Sequence, residues 1–111
     1  MELIINNLVY NVGLVDKINQ EDDLGLFNCE KQIIVIKSSL SDSQKIKTFL
    51  HELTHAYMWC YGFSNTEFNE ETICNFIGVY FELMIKDLKK FLVEFIENKE
   101  EDTCLMKKKN L

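Results

Sequence analysis

The amino-acid sequence predicts an α+β fold: a small antiparallel sheet packed on one helix, with a second long helix completing the body. Short β-prone runs crowd into the first forty residues, a capped amphipathic pattern comes next at 42–61, and a longer one runs from about 66 to 97. At 111 residues, with 47% apolar content and eight Phe, the chain can build one packed core but not two. One domain is therefore expected over 1–97, with 98–111 as a charged, mobile tail.

Leu3-Ile4-Ile5 and Leu8-Val9-Tyr10-Asn11-Val12 flank an Asn6-Asn7 turn, and Gly13 or the polar Gln20-Glu21-Asp22-Asp23 would break the next element. Residues 15–22 also fit a short helix. Leu24-Gly25-Leu26-Phe27 and Gln32-Ile33-Ile34-Val35-Ile36 enclose Asn28-Cys29-Glu30-Lys31, the pattern of a hairpin with a well-buried second strand. Ser41-Asp42-Ser43-Gln44 matches a capping box, with Ser41 as N-cap. Ile46, Phe49, Leu50, Leu53, Tyr57 and Cys60 then recur at helical spacing, and Gly62 stands where a left-handed C-terminal cap belongs. The second helix, from Thr66 or Glu67 to about Glu97, carries the stripe Ile73, Phe76, Ile77, Tyr80, Phe81, Met84, Leu88, Phe91, Leu92, Phe95, with Cys74 read as a buried thiol beside it.

Twelve basic residues against eighteen acidic ones give a net charge of −6, which opposes attraction to nucleic acid or anionic membrane. Lys107-Lys108-Lys109 reads as a solvated end. The N-terminus lacks the layout of a signal peptide and no long apolar run exists, so a soluble, cytoplasmic protein is expected. The four cysteines, Cys29, Cys60, Cys74 and Cys104, form no C-x-x-C pair and are expected as free thiols. Nothing in the sequence sets an oligomeric state.

The only two histidines stand in His51-Glu52-Leu53-Thr54-His55, inside the first helical pattern. Residues i and i+4 share a helix face, so both imidazoles can reach one divalent ion, and Glu52 can address a water there without ligating. They fall beside the apolar stripe rather than at its centre, as residues lining a cleft would. A catalytic zinc takes three protein ligands. Met58 and Tyr61 occupy the positions where a longer motif would need Gly and His, which leaves a carboxylate from the next helix. Glu67, Glu70 and Glu71 all stand near its start. Glu71 shares a face with Asn75, Gly78 and Glu82, whereas Glu70 lies nearer the apolar stripe, so both stay open on periodicity alone. An acidic first turn is also what a helix dipole favours without any metal.

The capped helix with His-Glu-Leu-Thr-His, followed by Glu70-Glu71-Thr72-Ile73-Cys74-Asn75-Phe76, resembles the ImmA/IrrE-type zinc metallopeptidases over residues 24–85, in particular small versions from phages and mobile elements. The resemblance implies a minimal zincin, with one zinc ion held by His51, His55 and Glu71, Glu52 as general base, and a protein or peptide substrate such as a repressor. The ligand glutamate of such enzymes commonly stands four residues before an Asn or Asp that follows a small residue; here these are Glu71, Asn75 and Cys74. The chain departs from the pattern with Cys74 for the usual Ala and with no proline after Leu83-Met84. A zincin-fold module that docks on a partner without useful turnover is the runner-up reading. A metal-free helical interaction protein would require the motif to be accidental.

Overall fold

Asn6 and Asn7 both take left-handed backbone angles, φ 49° and 65°, and this tight turn joins β1 (Glu2–Ile5) to β2 (Leu8–Val15) as an antiparallel hairpin. The computed structural model describes residues 1–19, 22–64 and 67–97. The proposed tail and Cys104 lie outside them. A second hairpin pairs β3 (Gly25–Asn28) with β4 (Ile33–Lys37), again antiparallel.

The two hairpins join through their inner strands. β2 and β4 run parallel, in register from Asn11↔Ile33 to Val15↔Lys37, and the strand order is β1-β2-β4-β3. The sheet is thus mixed, not wholly antiparallel as the sequence pattern suggested. Each turn specifies its own hairpin, but no local signal specifies which strand of one hairpin meets the other. Gly13 sits inside β2 rather than ending it, and Val15, the start of the alternative helix, is its last residue.

Helix α1 (Asp42–Cys60) and helix α2 (Glu70–Phe91) come next, the latter continuing in wider π-helical winding over Leu92–Glu97. The α2 start is later than the pattern suggested, because Asn69 takes the N-cap and accepts the Thr72 backbone N–H at 2.9 Å. Leu3, Ile5, Tyr10, Val12, Ile34 and Ile36 project from one face of the sheet onto Phe49, Leu53, Ala56 and Tyr57 of α1. The period-2 alternation of the strands and the helical spacing of α1 therefore meet in one core. On α2, Phe76, Met84 and Phe91 are buried, and Phe91 stacks on Phe49 with ring centroids 4.1 Å apart.

The α2 stripe is narrower than periodicity implied. Ile73, Ile77 and Phe81 stay about half exposed, at 50%, 46% and 52%, and Cys74 is exposed rather than buried. Apolar spacing marks a face wide enough to bury on two sides, while among the described residues α1 covers only the side bearing Phe76 and Tyr80. No described helix is long and apolar enough to cross a membrane.

Candidate metal centre

Helix α1 is fixed at both ends by its own sequence. Ser41 Oγ accepts the Gln44 backbone N–H at 3.3 Å, capping the first turn. At the other end Gly62 adopts φ +82°, which lets the Phe63 N–H return to the Met58 carbonyl at 2.7 Å. Between these caps the i, i+4 geometry sets His51 and His55 together on the exposed side of the helix.

Their Nε2 atoms lie 3.2 Å apart, with the rings edge to face at 79°. Two nitrogens each about 2.0–2.1 Å from a tetrahedral zinc stand about 3.3–3.4 Å apart, so the pair is already set at the spacing such an ion requires. The nearest donor atoms of His51, Glu52 and His55 all fall within 4.8 Å of one another.

Glu52 lies beside the two imidazoles, in the seam between α1 and β3, and is only 7% exposed. Burial pushes its carboxyl above the usual range; the fields of His51 and His55 and a hydrogen bond from the Phe27 backbone N–H pull it back, and Asp23 adds to the rise. That N–H is available because of strand register. Leu24 and Lys37 form a hydrogen-bonded pair, with the Lys37 N–H on the Leu24 carbonyl at 2.9 Å. In the alternation of an antiparallel ladder, Gly25 and Phe27 therefore turn their backbone groups away from β4, to the open edge of the sheet, where the Phe27 N–H meets Glu52.

The seam is narrow because residue 25 has no side chain. A Cβ on Gly25 would lie 2.6 Å from Thr48 Cγ2, 3.1 Å from Glu52 Cγ and 3.1 Å from the Val35 carbonyl oxygen. Beside it opens a cleft of about 490 Å³ onto which Asp23, Gly25, Lys47, Thr48, His51 and Glu52 face. Sequence reasoning found neither Gly25 nor the Phe27 N–H as parts of this arrangement. A lone glycine in a strand does mark close backbone approach, and this was the signal available.

Glu71 lies exposed in the first turn of α2, outside the group formed by His51, Glu52 and His55. Glu67 and Glu70 are exposed beside it. Two imidazoles at metal spacing suit a borderline divalent ion such as zinc, and the buried carboxylate beside them is placed to address a water on it.

No curated protein and no solved structure matches the chain. The family model for the IrrE N-terminal-like domain, Peptidase_M78, matches residues 14–89, a span that takes in β3, β4, all of α1 and most of α2. A peptidase family, a motif helix with both imidazoles on one face and a mixed sheet behind it are one coherent assignment, and the chain belongs to the Peptidase_M78 family.

Proposed function

We propose that this protein is a zinc-dependent endopeptidase, with one zinc ion held by His51, His55 and Glu71 and with Glu52 as general base. The observation that carries the reading is the Nε2 pair 3.2 Å apart with a buried carboxylate one residue away. Bound there, zinc would supply Lewis-acid polarisation of a peptide carbonyl and acidify water. Glu52 takes the attacking water's proton and passes it to the leaving amine, and the upward push on its carboxyl suits a group that must hold that proton in between. The Phe27 N–H fixes the orientation of the carboxylate during both transfers. The backbone groups that Gly25 turns away from β4 give the cleft wall hydrogen-bonding capacity for an extended peptide. Glu71 completes the ligand set on the strength of the family pattern and its place at the head of α2. The substrate we propose is a regulatory protein of a phage or mobile element, such as a repressor, cleaved in the cytoplasm.

Metal analysis of protein purified without added zinc should return one zinc per chain, falling in His51→Ala, His55→Ala and Glu71→Ala. Incubated with a candidate repressor, wild type should cleave and Glu52→Gln, still loaded with zinc, should lose activity by at least about 100-fold. Equal turnover by the two proteins would refute the proposal.

The half-exposed row Ile73, Ile77 and Phe81 on α2 favours a second reading, a zinc-bearing module that works by docking on a protein partner. Partner binding that survives Glu52→Gln, with no cleavage by either protein, would select it.

A further inference from the structure

Helix α2 keeps one apolar face open among the described residues. Ile77 is 46% and Phe81 52% exposed, Cys74 is exposed, and Ile85 and Leu88 are half-buried. These five recur at steps of three or four residues, the spacing by which two helices pack along their length. The side turned to α1 is a different one, bearing Phe76 and Tyr80. Gly78 flanks the open face, and a Cβ built there would meet nothing within 4 Å, so no described group of the same chain fills the approach.

The spacing is symmetric about Phe81. Cys74 and Leu88 stand seven residues either side of it, and Ile77 and Ile85 four either side. A two-fold axis at Phe81 therefore lays Cys74 of one copy on Leu88 of another, Ile77 on Ile85 and Phe81 on itself, with the helices antiparallel. Charge selects the same direction. The first turn of α2 carries Glu70 and Glu71, with Glu67 exposed just before it, and the last turn carries Lys89 and Lys90. Antiparallel copies set each acidic start against a basic end, twice over, and oppose the two helix dipoles; parallel copies would set like charges side by side. A foreign partner would require neither the symmetric spacing nor opposite charges at the two ends, whereas a second copy requires both.

We propose that the protein forms a two-fold symmetric homodimer through antiparallel pairing of α2 about Phe81. The helix has 22 residues, which at about 1.5 Å each give a contact line of about 33 Å. One helix pair lies at the small end of specific interfaces, so the dimer forms with rising concentration rather than permanently. The net charge of −6 per chain opposes indiscriminate association, which leaves this local pattern to drive the pairing.

The test is sedimentation velocity of the full chain over a wide concentration range, where a shift from monomer to dimer is expected. Phe81→Asp sets two carboxylates against each other on the axis and should weaken the dimer at least about 100-fold, with an unchanged circular dichroism spectrum as the check on folding. Two charge reversals keep the apolar face and spare Glu71: Glu67→Lys with Glu70→Lys, and Lys89→Glu with Lys90→Glu. Each alone should weaken the dimer at least tenfold, and an equimolar mixture of the two should restore it to within a few-fold of wild type. In a parallel pair each reversal alone would only exchange one like-charge contact for another. A monomer at every concentration would overturn the proposal and leave the face to residues 98–111 or to a different protein. A dimer that survives Phe81→Asp would place the interface elsewhere, and reversals without effect on their own would exclude the antiparallel arrangement; either result overturns it. A chelator should leave the dimer unaltered, so this result is independent of the metal.

Discussion

At the scale of single residues, Gly25 and Glu52 depend on each other for space. Gly25→Ala would place a methyl group against Thr48 Cγ2 and the Val35 carbonyl, and forcing β3 away from α1 should cost about 1–3 kcal/mol in urea unfolding. Part of that loss should return when Thr48→Ser removes the closest atom; full additivity in this double-mutant cycle would show that the seam is not the cause. Asp87 makes a different prediction. Burial holds its carboxyl above the unfolded value, against the opposing pull of the Tyr57 hydroxyl, Lys90 and Lys86. An acid with a raised folded pKa contributes stability in full below the unfolded value of about 3.9 and loses it as pH rises through the raised one. The midpoint of urea unfolding of metal-free protein should therefore fall as pH climbs out of that range, and less steeply in Asp87→Asn. Glu52 shifts in the same direction, so some slope should survive.

At the scale of elements, the helix ends were the easiest features to read. Ser41 and Gly62 mark α1 because a cap is a contact between neighbours in sequence, and the structure places Ser41 as the N-cap and Gly62 in the left-handed position after the last turn. Gly62 differs from Gly25 in that a Cβ there would meet nothing within 4 Å, so the cost of Gly62→Ala is one of backbone angle alone. It should destabilise the protein by about 1 kcal/mol in denaturant titrations, and Ser41→Ala by a similar amount. The pairing of the two histidines was legible for the same local reason, as i and i+4 on a helix face each other wherever the helix is. What neighbours cannot specify stayed hidden: the parallel β2–β4 pairing, the Phe27 N–H on Glu52, the Tyr57–Asp87 bond, and the side of α2 left uncovered among the described residues. Each joins segments distant in sequence, and apolar periodicity reports only that a face is apolar.

At the scale of the whole molecule, the proposed ion would couple the site to the fold. A ligand that binds the folded chain alone stabilises it by about 2.7 kcal/mol at a hundred times its dissociation constant. Thermal unfolding should therefore shift upward with added zinc, fall back with chelator, and lose the response in the His51→Ala, His55→Ala double variant. An equal shift in that variant would place the ion elsewhere.

The mixed sheet has a consequence for how the chain acquires this shape. β3, β4 and α1 are consecutive, so the hairpin, the Gly25 seam and the motif helix can assemble from short-range encounters. The first hairpin must instead bring β2 alongside β4 across the whole of β3, closing a larger loop before any ladder bond rewards it. On loop-closure grounds the motif-bearing segment should form first and the amino-terminal hairpin dock after it, and release of that hairpin would strip Leu3, Ile5, Tyr10 and Val12 from Phe49, Leu53, Ala56 and Tyr57 of the motif helix.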